Sequence, residues 1–184
     1  MSQGAPFEIF LAADDARPAL AMAEGLAVPG SAVTYAVGAL ALYSTTLDLS
    51  NGAAALDAVF DRLVIADPAS APYGRAAVET LTALGKYQAI SAKLVTGANI
   101  SQALQFVESG NAELGFVAVS QLGDRQNFWL VPAALHQPIN QDAVLLERGK
   151  QDRVALSFMR FLESEEARAI IRADGYGLPD RAGP

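Results

Sequence analysis

Short runs that are apolar at every position alternate along this chain with longer stretches in which apolar residues recur every three or four positions. The first kind predicts buried strands, the second amphipathic helices. Phe7 to Ala12 is a short β-branched and aromatic run interrupted only by Glu8; Asp14-Asp15 follows it, Pro18 lies just inside an Ala, Leu and Met segment, and Gly25 closes that segment. The order is strand, capped helix, stop. Val33 to Ser44 is apolar on both faces between Pro29-Gly30 and a Ser/Thr cluster, which predicts a buried strand or a long crossover between lobes. An Asn51-Gly52 turn then opens a short Ala-rich helix carrying Leu56, Val59 and Phe60.

The middle of the chain repeats one pattern twice. Leu63 to Ala66 predicts a strand broken by Asp67-Pro68, a loop to Pro72-Tyr73-Gly74, and a helix with Ala77, Val78, Leu81 and Leu84 on one face. Leu94 to Thr96 predicts a second strand, Gly97-Ala98-Asn99 a turn, and Ile100, Ala103, Leu104 and Val107 the apolar face of a helix closed by Gly110. Leu114 to Val119 is a further strand. Two strand-loop-helix units in series predict an α/β fold with a parallel sheet and crossover helices. Beyond Trp129 to Val131 the chain is irregular through Pro138, then Ala143 to Leu146 predicts a strand that crosses back to the first lobe. The tail predicts a helix from Asp152 to Leu162 and another from Ser164, with Glu165 and Glu166 in its first turn, to Gly175.

Charge and composition narrow the chemistry. Twenty acidic residues against 13 basic ones give a formal charge of -7, and the bases are scattered, which excludes a polyanionic nucleic acid as partner. A small oxyanion is still accommodated, because neutral backbone donors hold one. The absence of Cys removes disulfides, thiolate nucleophiles and Cys-based metal sites, and His136, the single histidine, rules out a histidine cluster and reads as a loop residue beside Pro138. Asp14-Asp15 and Glu165-Glu166 read as helix-start caps, no Gly-x-Ser-x-Gly or Ser-x-x-Lys accompanies the hydroxyl residues, and Gly175-Tyr176-Gly177 reads as a helix-end turn. No catalytic constellation emerges, so the reading is not an enzyme. The first ten residues form no basic and apolar leader, so no secretory signal is read in them, and Ala32 to Tyr43 is too short and interrupted to cross a bilayer.

What remains is a pair of helix starts, each following the carboxyl end of a strand. Open parallel sheets gather ligands at that edge. The backbone N-H groups of Tyr73, Gly74 and Arg75, and those of Ile100, Ser101 and Gln102, are expected to be free to point at an anion without a formal positive charge.

The segments GAPFEIFLAADDARP (Gly4 to Pro18), GLAVPGSAVTYAVGALALYS (Gly25 to Ser44), IADPASAPYGRAA (Ile65 to Ala77), NISQALQFVESGNAELGFVAVSQ (Asn99 to Gln121) and FLESEEARAIIRADGYG (Phe161 to Gly177) resemble, in order and over nearly the whole chain, the periplasmic molybdate-binding protein of bacterial ABC importers. The resemblance implies a periplasmic-binding-protein type II-like fold, two lobes with parallel-rich sheets joined by crossover strands, and residues 1-39 with 133-184 as lobe one and 40-132 as lobe two. It implies molybdate or tungstate as ligand, no cofactor, a membrane permease as partner and a periplasmic location. The family's donors fall on the backbone N-H groups of Tyr73 and Ile100, with Asn99 as cap and Gly74 and Ser101 in support. Some members add a tyrosine hydroxyl where this chain has Ala118.

The same resemblance implies that a β-α-β-α unit ahead of Gly4, carrying the other half of the anion cage, is missing and that lobe one is incomplete. A hydrogen bond to a charged group contributes roughly 1.5 to 3 kcal/mol, so the loss of about four is expected to weaken binding by about 6 kcal/mol or more, a factor near 10⁴. An unpaired strand edge at Phe7 to Ala12 is expected to drive formation of a homo-oligomer. The other reading of the shortened front is a leaderless oligomeric interaction or sensing module that no longer supports transport.

Overall fold

The computed structural model describes residues 6-179. Gly4 and Ala5, which begin the first resembling segment, and Met1 to Gln3, on which part of the leader reading rests, lie outside them. In chain order the elements are β1 (Ile9–Ala12), α1 (Ala16–Ala23), β2 (Val33–Gly38), β3 (Leu40–Tyr43), β4 (Leu63–Ala66), α2 (Pro72–Ala83), α3 (Tyr87–Ile90), β5 (Leu94–Gly97), α4 (Ile100–Glu108), β6 (Leu114–Ala118), β7 (Phe128–Leu130), β8 (Ile139–Leu145), α5 (Arg153–Leu162) and α6 (Glu165–Ala173). The chain divides into two compact units, Met1–Gly38 with Asn140–Pro184, and Ala39–Ile139.

In the first unit three strands lie in the order β1-β8-β2, with β1 antiparallel to β8 from Ile9 opposite Leu145 to Ala12 opposite Asp142. Ala143 and Leu145 of β8 bury against Ala155, Met159 and Leu162 of α5, while Val144 and Leu146 bury against Ala21 and Ala27 on the other side. This alternation is the pleat of a strand covered on both faces. Asp152 caps α5 by accepting from the N-H groups of Val154 and Ala155, and Ser164 caps α6 by accepting from Ala167. At α1 the expected carboxylate pair splits its work: the Asp14 side chain takes the N-H of Arg17, and Asp15 at the cap position makes no side-chain bond.

Asp142 is 7% exposed in the middle of this sheet and accepts a hydrogen bond from Thr34 Oγ1 at 2.7 Å. Burial raises its pKa above the usual carboxylate range, Thr34 opposes the shift, and Asp15 and Asp14 add to it. A carboxyl with a raised folded pKa binds a proton more readily in the folded chain than in the unfolded one. Stability is therefore lost as pH rises from the ordinary carboxylate range through the raised value. Asp142→Asn still accepts from Thr34 and carries no charge, so it should melt higher than the parent near neutral pH, with the advantage shrinking as pH falls through the raised value and lost below the ordinary carboxylate range. Thermal melts at both pH values check this.

The second unit is built on a five-stranded sheet in the order β5-β4-β6-β3-β7. β4 runs parallel to β5 and to β6, as two strand-loop-helix units require, and β3 runs antiparallel to β6 and β7. β3, β4 and β6 are buried at every position, which explains their continuous apolar runs. Leu63 and Ile65 of β4, with Leu114 and Phe116 of β6, pack on Ala77 and Leu81 of α2. Val64 and Val117 point to the opposite face and pack on Ala103 and Val107 of α4. The two helices thus cover opposite faces of the sheet. α4 lies so near that a Cβ at Gly115 would meet Val107 Cγ2 at 2.5 Å and Val64 Cγ1 at 2.8 Å.

Several elements differ from their sequence-based expectation. Val33 to Ser44 is two strands, β2 and β3, separated at Ala39, and the chain passes from one unit to the other there. The Ala-rich segment is a 3-10 turn, Gly52–Asp57, that buries Ala55 and Leu56 and leaves Val59 93% exposed. The last strand begins earlier, at Ile139.

Candidate functional site

β4 and β5 are parallel neighbours, with Ala66 opposite Gly97, so the loops leaving them start side by side at one edge of the sheet. The first loop leads to α2 on one face and the second to α4 on the other. Loops that part in this way open a crevice outside the strand ends, the place where α/β sheets hold ligands.

The loop after β4 is held by its own carboxylate. Asp67 accepts from the N-H of Ala69 at 3.0 Å and from the hydroxyl of Ser70 at 2.8 Å, and these bonds, the Ser70 hydroxyl first, keep its pKa below the usual carboxylate range. α2 begins at Pro72, whose missing N-H is no loss in a first turn. Tyr73 is 6% exposed and its ring belongs to the core under the sheet. Gly74 is there because nothing larger fits: a Cβ would stand 2.2 Å from Ala66 O and 2.9 Å from Asp67 C. The start of α2 therefore rests on the backbone at the end of β4.

The loop after β5 uses a reciprocal cap. Asn99 Oδ1 accepts from the N-H of Gln102 at 2.9 Å, and Gln102 Oε1 accepts from the N-H of Ala98 at 2.6 Å. The N-H of Ala103 goes to Asn99 O at 3.1 Å. These bonds leave the N-H groups of Ile100 and Ser101 without an acceptor among the described residues. A helix start that satisfies some donors with its own side chains and leaves two adjacent ones unpaired is suited to an anion.

Of the six amides expected to be free, at least three are occupied. Gly74 and Arg75 both donate to Ala71 O, at 3.0 and 3.2 Å, and Gln102 donates to its cap. The reason is local: a tight first turn brings Ala71 O within reach, and an Asn cap takes the third N-H of its helix. Tyr73, Gly74, Asn99, Ile100 and Ser101 do fall at one sheet edge, with Gly74 acting by fit and Asn99 as the cap. Ala118 ends β6, 2% exposed and paired with Leu40. His136 is a half-buried residue after a 3-10 turn, with Nδ1 2.7 Å from Gln137 O. Among the described residues no group of three or more His, Asp or Glu is placed to hold a metal, and no helix is long and apolar enough to cross a membrane.

One residue was overlooked in the sequence. Gln121 lies in a 3-10 turn, Val119–Gln121, just beyond β6, and its Nε2 donates to Ser101 Oγ at 2.7 Å. It ends a segment quoted for its resemblance, yet nothing in local spacing couples it to a residue twenty positions earlier.

Comparisons with known proteins follow the same line. A family profile described as bacterial extracellular solute-binding protein matches residues 1–177. The molybdate-binding protein ModA of Rhodobacter capsulatus is 49% identical over 179 residues, 96% of this chain and 71% of the relative. Its counterpart of the same name in Azotobacter vinelandii is 47% identical over 185 residues, 97% of this chain and 73% of the relative. The solved periplasmic molybdate-binding protein of Azotobacter vinelandii superposes with a TM-score of 0.86 at 35% identity, covering 97% of this chain and 81% of that one.

Proposed function

This chain belongs to the family of bacterial extracellular solute-binding proteins and has the type II periplasmic-binding-protein fold, and from that premise we propose that it is the molybdate- or tungstate-binding component of an ABC importer. The observation that carries the reading is the pair of unpaired amides at Ile100 and Ser101, beside the Tyr73 helix start and at the edge where β4 and β5 end. Relatives at 47% and 49% identity named for molybdate supply the anion's identity.

The chemistry is binding without a covalent step. N-H donors offer no acceptor, so they suit a fully deprotonated oxyanion, and they do so without a cation that would also hold other anions strongly. Molybdate, tungstate and sulfate share charge and tetrahedral shape and differ in radius, so selection rests on the spacing of the donors. The protein captures the dianion in the periplasm and presents it to a membrane permease. Isothermal calorimetry of the full chain with molybdate, tungstate, sulfate and phosphate tests this. Heat with molybdate and tungstate is the expected result; a response to phosphate alone overturns it.

One observation favours a second reading, an oligomeric interaction or sensing module. The outer edge of β1 takes no strand partner among the described residues, and Leu11 on it is 42% exposed. Such an edge templates pairing with another strand. Sedimentation should then give twice the chain mass; a monomer at all concentrations removes the reading.

A further inference from the structure

Buried polar atoms in folded proteins almost always find a partner, and an exception calls for a reason. Gln121 Oε1 is such an exception: it is buried and no hydrogen-bond partner reaches it. Its other amide atom, Nε2, spends its donor on Ser101 Oγ at 2.7 Å. Ser101 is the second residue of α4, and its N-H is one of the two amides left without an acceptor.

The polarity of that bond matters. Because Gln121 donates, the serine oxygen is the acceptor and its own proton remains to be given elsewhere. No acceptor for that proton is present among the described residues. The reverse bond, with the serine hydroxyl donating to Oε1, would spend that proton within the protein and leave the amide NH₂ as the buried group without a partner.

We propose that Gln121 is a positioning residue of the oxyanion site: by donating to Ser101 Oγ it turns the Ser101 hydroxyl into a third donor for the anion, beside the N-H groups of Ile100 and Ser101. The inference rests on the binding reading above and deepens it. This amide orientation keeps the serine proton available to the ligand.

Calorimetry with sodium molybdate on the full chain, parent and variants, tests the inference. Gln121→Met keeps the length and apolar bulk of the side chain and removes both polar atoms. It should lower molybdate affinity about 10-fold, the range of one hydrogen bond to a charged group, while the ligand-free melting temperature stays level or rises because the unpaired oxygen is gone. Ser101→Ala should lose a similar factor, and the double variant should lose no more than the larger single loss, since one donor cannot be removed twice. Gln121→Glu separates positioning from packing. Its carboxylate accepts the serine proton and adds a negative charge, so binding should fall further at neutral pH and recover as the carboxyl protonates toward about pH 4 to 5, a profile Gln121→Met should lack. Parent affinity in Gln121→Met, or losses that multiply in the double variant, overturns the role of Gln121 and leaves the binding site standing. A parent chain that gives no heat with molybdate overturns both.

Discussion

Ile100→Pro is expected to weaken molybdate binding about 10- to 100-fold, the cost of one hydrogen bond to a charged ligand, and to leave α4 in place. Proline deletes the N-H proposed as a donor and nothing else in the hydrogen-bonding of the turn, because that N-H has no acceptor among the described residues. The backbone is already suited to it. Ile100 is the first helical residue, where proline's fixed φ is favourable. Asn99 before it is extended, with φ -157° and ψ 174°, the region a residue preceding proline prefers. The cap bonds from Gln102 and Ala98 involve other atoms and persist. What the variant does lose is packing, since the Ile100 side chain is partly buried against the core on both faces of the sheet. Ile100→Val controls for that: it trims the side chain, costs about 1 kcal/mol of stability and retains the N-H. Proline and valine variants with equal affinity for molybdate would remove Ile100 from the site.

The fact that such a variant can be designed from the first turn of one helix shows which part of the site was legible beforehand. Local signals were read correctly. The continuous runs at Leu63 to Ala66 and Leu114 to Val119 gave strands, because both faces of those strands are covered, while Asn99 as cap came from the resemblance and α2 starts at Pro72, inside the expected loop. The parallel pairing of β4 with β5 and β6 followed from the repeated strand-loop-helix order. What sequence did not give was the outcome of competition among donors. Six amides at two helix starts look alike in a string of letters, yet Ala71 O takes two of them and Asn99 a third. The contact from Gln121 to Ser101 is set by α4 crossing back over the sheet toward β6, a tertiary fact with no local pattern. Val33 to Ser44 reads as a buried strand or a crossover between lobes, and the chain does pass from one unit to the other within it, as two strands rather than one, a break that a run apolar on both faces does not mark.

Gly74→Ala should have the largest effect on stability of any single methyl added to this chain's binding unit, a loss of about 3 kcal/mol or more, accompanied by loss of molybdate binding at temperatures where the variant is still folded. Helix propensity alone argues the other way, since alanine is favoured over glycine within a helix by about 1 kcal/mol. The sign is decided by what surrounds the new carbon. It would stand 2.2 Å from Ala66 O, 2.8 Å from Ala66 C and 2.9 Å from Asp67 C, all backbone atoms. None is the mobile end of a side chain. Ala66 is fixed in turn by its register opposite Gly97 in β5, and Asp67 donates its N-H to Gly97 O at 2.8 Å. The strand cannot yield, so the helix must. Any outward shift of α2 strips Ala77 and Leu81 from the apolar face of the sheet, which is the source of the lost stability, and it moves the start of α2 away from the edge where Ile100 and Ser101 present their N-H groups. An oxyanion held by several short bonds tolerates little such displacement. Thermal melts of parent and variant, followed by calorimetry with molybdate well below the variant's midpoint, measure the two effects separately. A midpoint at or above the parent's would mean that α2 can leave the end of β4 without cost, and contact with that strand would no longer explain where Tyr73 lies.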